Sequence, residues 1–354
     1  MSDTLQKLAT AAALPRTAPN WRADTDQVAP HIPGLDQPDV AILIPCFNEE
    51  TAIAKVVTDF RAALPHARIY VYDNNSTDRT ALEARAAGAQ VRHEALQGKG
   101  HVVRRMFADI DAEAYILVDG DDTYEAEAAP AMVRLLFDRQ LDMVSGTRGA
   151  DRTEAYRPQG QRPEPYRPGH RLGNVLLSGI VRWVFGRGAS DLLSGYRVFS
   201  RRFVKSFPAL AAGFETEAEF TIHALALHMP LREMRTTYRG RAEGSRSKLN
   251  TIKDGLRILR TILALVGQER ALQTAGLVMG VLLLAGLALG APVVAEFLHT
   301  GLVPRLPTAL LATGLVLLGF LSLGCGLVLD AVSRGRKEMK RLAYLACTAP
   351  ARRE

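Results

Sequence analysis

Cysteine is scarce in this chain of 354 residues: it has Cys46, Cys325 and Cys347 and no others. They show no metal-ligand spacing and cannot all pair with one another, which argues against a zinc site and a disulfide framework and suits a reducing compartment. An export signal is lacking too. The short apolar run at 8–14 follows Asp3 without a basic flank, so the soluble part is expected in the cytoplasm. No internal repeat is evident. His101, His170, His223 and His228 lie at no metal spacing from carboxylates or cysteines, as solvated or packed rings would. Charge is missing from two segments, 272–295 and 306–329, each of 24 residues. The formal net charge of +7 comes from scattered Lys and Arg that gather beside those segments, as beside anionic lipid headgroups, and it speaks against nucleic acid as a partner.

The length accommodates one catalytic domain with a full core and about 100 residues more. Residues 1–39 read as a disordered leader, because Pro15, Pro19, Pro30, Pro33 and Pro38 stand among polar groups. The pattern then changes. Residues 40–45 (VAILIP) form a continuous apolar run that suits a buried parallel strand. In 50–64, Ile53, Val56, Val57, Phe60 and Leu64 recur at helical spacing before Pro65. Further strands are predicted at 68–72, 90–93, 114–118 and 143–145, and further helices at 77–88, 100–110 and 126–139. This alternation predicts an α/β domain with a mostly parallel central sheet, extending over 40–248. Its proline-rich, charged segment 151–170 is a mobile loop, either a lid or an idle surface excursion.

The two uncharged segments are long enough to span a bilayer, which takes about 20 helical residues, so 271–330 is expected to be a two-helix transmembrane hairpin. Arg246, Lys248, Lys253, Arg257, Arg260 and Arg270 precede it, and Arg334, Arg336, Lys337, Lys340 and Arg341 follow it, whereas the connecting turn offers Arg305. That bias predicts an integral membrane protein with the catalytic domain and both termini on the cytoplasmic side, 331–354 forming a basic tail. Within 249–270, Ile252, Leu256, Leu259, Leu263 and Val266 form a stripe opposite Lys253, Arg257 and Arg260. The stripe fits an amphipathic helix in the headgroup layer, or an ordinary domain helix packed on the sheet.

In parallel sheets ligands bind at the carboxyl ends of the strands, and the polar clusters occur there. Asp119-Gly120-Asp121-Asp122 follows one strand. Carboxylates in this arrangement suit Mg2+ or Mn2+, which take oxygen ligands and are commonly shared with substrate phosphates, or make a solvated acidic turn. Asp73-Asn74-Asn75-Ser76-Thr77-Asp78 follows another strand and opens a helix, a place for a base, a ribose or negative charge, or a plain N-cap.

The motifs PCFNEE, YDNNSTDRT, GKG, VDGDDTY, GTR and DLLSGYRVFSRR resemble glycosyltransferase family 2, with its GT-A fold. The likeness covers about residues 40–260 and is nearest to the polyprenyl-phosphate sugar synthases, such as dolichyl-phosphate mannose synthase and the bactoprenol glucosyltransferases. It implies that Pro45, Asn48, Glu49, Asp73 and Lys99 line the nucleotide pocket, with Asp119 near the ribose and metal and Asp121 on the metal. By the same resemblance Arg148 and Arg171 grip phosphates, while Ser194, Arg197, Tyr238, Arg241, Ser247 and Lys248 serve the acceptor or phosphate. Glu217 stands where family members carry an acid, and an ordinary helix N-terminal acid fits it as well. Three departures stand out: Asn74 replaces a second acid, Thr123 replaces the usual Gln, and Gly179 replaces the Gln of the processive signature ending at Arg182-Trp183. The last argues against chain elongation.

The implied reaction is inverting transfer of a hexose from a nucleotide-diphosphate sugar, of UDP-glucose or GDP-mannose type, to a polyprenyl phosphate at the cytoplasmic face of a membrane, the bacterial inner membrane being the expected one. Metal and arginine would offset charge on the leaving diphosphate. The expected partners are the donor, the acceptor and membrane lipids; a homo-oligomer is left open. Two alternatives stand beside this: transfer to a lipid hydroxyl (diacylglycerol or sphingolipid), which needs a general base, and a catalytically silent sugar-nucleotide-binding scaffold.

Overall fold

A strand with apolar residues on both faces needs cover on both sides, and β1 (Val40–Cys46) has it. In the computed structural model, which describes residues 38–148, 179, 181, 191–237, 255, 257–262 and 271–350, β1 sits inside a seven-stranded sheet. The chain continues through α1 (Ile53–Ala63), β2 (Arg68–Asp73), α2 (Thr80–Ala86), β3 (Gln90–His93), α3 (Lys99–Asp109), β4 (Ala114–Leu117), a short 3-10 turn (Ala126–Ala128), α4 (Ala129–Asp138) and β5 (Met143–Arg148). Next come β6 (Arg197–Ser200), α5 (Arg201–Ser206), α6 (Thr216–Ala226) and β7 (Leu231–Thr236), then α7 (Ala271–Thr300) and α8 (Leu306–Leu345).

The strand order is β3-β2-β1-β4-β6-β5-β7. β6 runs antiparallel to both β4 and β5, and the other pairings are parallel. Alternate residues of β1 feed two cores. Ile42 and Ile44 join Val57 and Phe60 of α1 and Met132 and Leu136 of α4 on one face. Ala41 and Leu43 join Met106 and Phe107 of α3 on the other, with Phe199, Phe203, Phe207 and Phe220. Phe199 and Phe203 stack at 4.5 Å. Burying one such ring is worth about 1.5–3 kcal/mol, so this aromatic block ties α3, α5 and α6 to the sheet.

Three helices, α1, α2 and α4, begin three residues later than their pattern predicts. In the 77–88 segment the Thr77 N–H donates to Asn48 Oδ1 and the Arg79 N–H to Glu50 Oε2. Side chains from the loop after β1 thus hold these residues in a non-helical turn, and α2 starts at Thr80. The expected mobile loop at 151–170 and leader at 1–39 fall outside the described residues, except that 38 and 39 are described. Of the predicted amphipathic segment, 255 and 257–262 are described. Ile258 and Ile262, which lie outside the predicted stripe, are buried with Ala218 and Ile222 of α6 and Leu192, and Leu259 of the stripe packs partly buried against this cluster, so here the segment faces protein.

Both α7 and α8 are long and apolar enough to cross a membrane. They pack through small residues: a side chain at Gly286 would press on Val316 and the Ala312 carbonyl, and one at Gly319 would meet Met279 and Leu282. Close approach at small residues is how apolar helices associate without a hydrophobic driving force. Leu277, Leu284, Leu287, Leu317, Phe320 and Leu321 remain exposed outside this contact. The predicted basic tail is in large part the end of α8, which continues as helix to Leu345.

Candidate active site

The strand order brings together the three polar clusters that the sequence scatters over about 80 residues of chain. β2, β1 and β4 are neighbours, so the loops after them share one edge, at the reversal of strand order between β1 and β4. Asn48, Asn75 and Asp122 in those three loops have φ of 53°, 65° and 58°, the left-handed region that Asn and Asp tolerate best after glycine. The first two loops interlock. The Asn48 N–H donates to Ser76 Oγ at 2.9 Å and the Glu49 N–H to Thr80 Oγ1 at 2.8 Å. Asp73 ends β2 with Oδ1 accepting from the Ser76 N–H and Oδ2 3.6 Å from His93 Nδ1.

Asn74, where a second acid was expected, is a structural residue. Its amide donates to the carbonyls of Glu94 and Leu96 and its Oδ1 accepts from the Gly98 N–H at 2.7 Å. That fastens the loop leading into α3. Gly98 has φ +133°, and a Cβ there would strike the Ala212 carbonyl. Only glycine allows the two backbones to approach so closely. The fastened loop delivers Lys99 into the site.

Lys99 is the centre of the arrangement. Its ammonium lies 2.5 Å from Asp119 Oδ1 and 2.6 Å from Glu217 Oε1, with the Lys99 and Glu217 side chains buried and Asp119 partly so. Burial alone would pull the lysine towards neutrality, but the two carboxylates outweigh it and hold its proton well above the usual range. Asp119 feels burial first, which pushes its carboxyl up to about 6; Lys99 opposes this, while Glu217 and Asp121 add to it. Glu217 comes from α6, 118 residues along the chain from Lys99. Sequence reasoning named all three residues but not their union, since nothing in local spacing relates α3 to α6.

The acidic motif divides its labour. Asp119 faces Lys99, and a Cβ on Gly195 would collide with its carboxylate. Asp121 is buried and accepts from the Thr123 hydroxyl at 2.6 Å, so Thr123, standing in place of the usual Gln, orients the Asp121 carboxylate. Asp122 turns outward to Lys55 of α1 at 2.8 Å. Among the described residues no group of three or more His, Cys, Asp or Glu could hold a metal. The Asp119 and Asp121 carboxylates offer oxygen donors of the kind a hard cation takes when it shares its remaining positions with substrate phosphate and water.

Two predicted acceptor residues lie inside the protein. Arg197 is fully buried, and its guanidinium donates to the carbonyls of Ser194 and Leu192 and to Thr221 Oγ1, over the ring of Phe220. Ser194, equally buried, donates to the Gly146 carbonyl at 2.5 Å. These bonds hold both side chains inside the protein, next to Gly195. Tyr124, which sequence reasoning missed, accepts from the Gly195 N–H at 3.0 Å and holds that glycine against Asp119. Pro45 lies in β1 beside Tyr72. Arg148 ends β5, at the same edge as the loops; its side chain, and Arg171, Tyr238, Arg241, Ser247 and Lys248, lie outside the described residues.

Residues 41–190 match the family model of glycosyl transferase family 2. Protein RfbJ of Shigella flexneri is 52% identical over 133 residues, 38% of this chain and 96% of that protein. A dolichyl-phosphate hexose transferase of Haloferax volcanii is 27% identical over 235 residues, 66% of this chain and 96% of that one. The fold is shared with glucosyl-3-phosphoglycerate synthase from Mycobacterium tuberculosis, at a TM-score of 0.53 and 21% identity over 65% of this chain and 80% of that one. Structures of that enzyme include one with Mn2+, uridine-diphosphate-glucose and phosphoglyceric acid. With a GT-A-like sheet, a carboxylate-rich edge and a relative matched over nearly its whole length, this chain belongs to glycosyl transferase family 2.

Proposed function

We propose that this glycosyltransferase moves a hexose from a nucleotide-diphosphate sugar to a polyprenyl phosphate at a membrane surface, with inversion at the anomeric carbon. The carrying observation is the Lys99 bridge between Asp119 and Glu217. Glu217, the acid at the position where family members carry one, is the nearest group to serve as a base, and its Oε1 is occupied by an ammonium. A hydroxyl acceptor needs a base positioned to take its proton; a phosphomonoester, with a second pKa near about 6, arrives largely ionised. The bridged site therefore suits a phosphate acceptor over a lipid hydroxyl. The Haloferax relative's name, dolichyl-phosphate hexose transferase, supports the same acceptor class.

In this reading Asp73, Asn48 and the loop after β2 receive the nucleoside, and Asp119 and Asp121 receive the divalent cation, Mg2+ or Mn2+, which when bound would offset charge on the diphosphate. Arg148 and Arg171, with the 238–248 segment, add cationic grip on phosphates. Lys99 holds Asp119 and Glu217 in place, so that positioning and electrostatics carry the catalysis. The apolar hairpin of α7 and α8 lies in the bilayer, with the Lys and Arg flanks on the cytoplasmic side.

The test supplies purified protein with a panel of sugar nucleotides and either a polyprenyl phosphate or the matching polyprenol, and identifies lipid products by mass spectrometry. Product on the phosphate alone is expected; product on the polyprenol alone overturns the acceptor, and sugar left on every nucleotide points to the silent scaffold. Asp121→Asn should lower turnover by about 100-fold or more, and chelation should do the same to the unaltered protein. An α-linked product from an α-linked donor, read by NMR, would overturn inversion.

A further inference from the structure

α8 does not stop where its apolar segment stops. Residues 306–329 account for about 36 Å of helix, enough for a hydrocarbon core of about 30 Å, and residues 330–345 add about 24 Å beyond it. That extension ends on the catalytic domain. Tyr344 donates its hydroxyl to Asp142 Oδ2 at 2.9 Å, and the Arg202 guanidinium lies 4.8 Å from the Tyr344 ring centre. Asp142 is fully buried and also bonds Ser200 Oγ and Arg202 Nε through Oδ1. A solvated tail has no need of a buried carboxylate; a latch does.

The direction of the extension matters as much as its contact. Asp142 immediately precedes β5 and Ser200 ends the antiparallel β6, so the latch lies at the edge of the sheet opposite the active site. Lys340, one turn earlier on α8, is felt electrostatically by Glu219 and His223 of α6, the helix that carries Glu217. Moving along α8 away from its apolar segment, the chain therefore passes α6 before it reaches the far edge. β5 has six residues, about 20 Å of strand, and Tyr344 lies about 22 Å beyond residue 329.

We infer that the end of α8 is a rigid strut, latched by Tyr344 to Asp142 and Arg202, that turns the strand carboxyl ends towards the bilayer and holds the site within reach of a lipid-borne phosphate. This rests on the membrane placement and acceptor class given above. Tyr344 is a positioning residue, since it touches neither substrate nor reacting atoms. A strut also explains why the uncharged segment of α8 continues without a break into a charged one.

The experiment inserts seven helix-forming residues after residue 333 in the full chain. Seven residues are nearly two turns, so the latch keeps its face while the domain rises by about 10 Å. Neutron reflectometry on a supported bilayer should read that rise, and an unchanged height overturns the strut whether or not any acceptor is used. In proteoliposomes kcat/KM for an embedded polyprenyl phosphate should fall at least about tenfold, with a short water-soluble prenyl phosphate within about twofold of the unaltered chain. Equal losses on both acceptors, or none, overturn the positioning role. Tyr344→Ala should reproduce the split and Tyr344→Phe, which keeps the ring over Arg202, should recover most of it. If the unaltered chain uses neither acceptor, the function proposed above fails, while the height measurement still decides the strut.

Discussion

Replacing Lys99 by methionine removes the cation that joins Asp119 to Glu217 and leaves the shape of the side chain nearly intact. Breaking a buried ion pair from one side costs about 3–5 kcal/mol, because the abandoned charge keeps its desolvation penalty. The Lys99 and Glu217 side chains are each 7% exposed, but Asp119 is 31% exposed. Water reaching Asp119 screens part of the loss, which puts the expected cost near the lower end, about 3 kcal/mol. At about 2–4 °C per kcal/mol for a domain of this size, Tm should drop by about 6–12 °C. Because Asp119 and Glu217 hold the lysine proton above its ordinary value, the stabilising contribution is fully present below the unfolded pKa of lysine and is lost only as pH rises through the still higher folded one. The assay is thermal unfolding of the full chain in detergent by circular dichroism, for Lys99→Met, Glu217→Gln and the double variant. Paired residues should couple, the double variant lying at least about 1 kcal/mol above the sum of the singles. Additive losses, or a Tm for Lys99→Met within about 2 °C of the unaltered chain, would refute the bridge.

His223 is buried against Phe203 and Phe207, and burial, followed by Lys340, lowers its pKa to about 3. Below about pH 6.5 the unfolded chain binds a proton that the folded chain refuses, so stability falls by about 1.4 kcal/mol per pH unit down to about pH 3. His223→Leu should flatten the Tm profile between about pH 6.5 and 5, and an unchanged slope would place the titration elsewhere. Asn74→Asp sets a carboxylate against the carbonyls of Glu94 and Leu96; a loss of about 1–3 kcal/mol and faster amide exchange in 94–98 are expected, with normal exchange counting against the fastened loop. Gly195→Ala drives a methyl into the Asp119 carboxylate; kcat should fall about 100-fold for a stability loss of about 1–3 kcal/mol, and full activity would show that Asp119 is free to move.

Parallel strands buried on both faces announce themselves as apolar runs, so 40–45 and 68–72 read correctly as β1 and β2, and the polar clusters after the strands fall on one edge of the sheet. The antiparallel β6 between β4 and β5 had no such signal: a four-residue strand carries too little pattern, and its place depends on partners more than 45 residues away. Arg197 shows the same limit from the other side. Its motif suggested an acceptor or phosphate ligand, yet it is buried with hydrogen bonds to Ser194, Leu192, Thr221 and Met143, which make it a prop for the 192–194 segment. Local chemistry therefore determined the family, the carboxylate-rich edge and the apolar hairpin, because each lies in contiguous residues whose order is itself the signal. Only tertiary structure decided that Lys99 meets Glu217 and that Tyr344 reaches Asp142, 202 residues apart, since contacts of that range are settled by which faces the two cores bury.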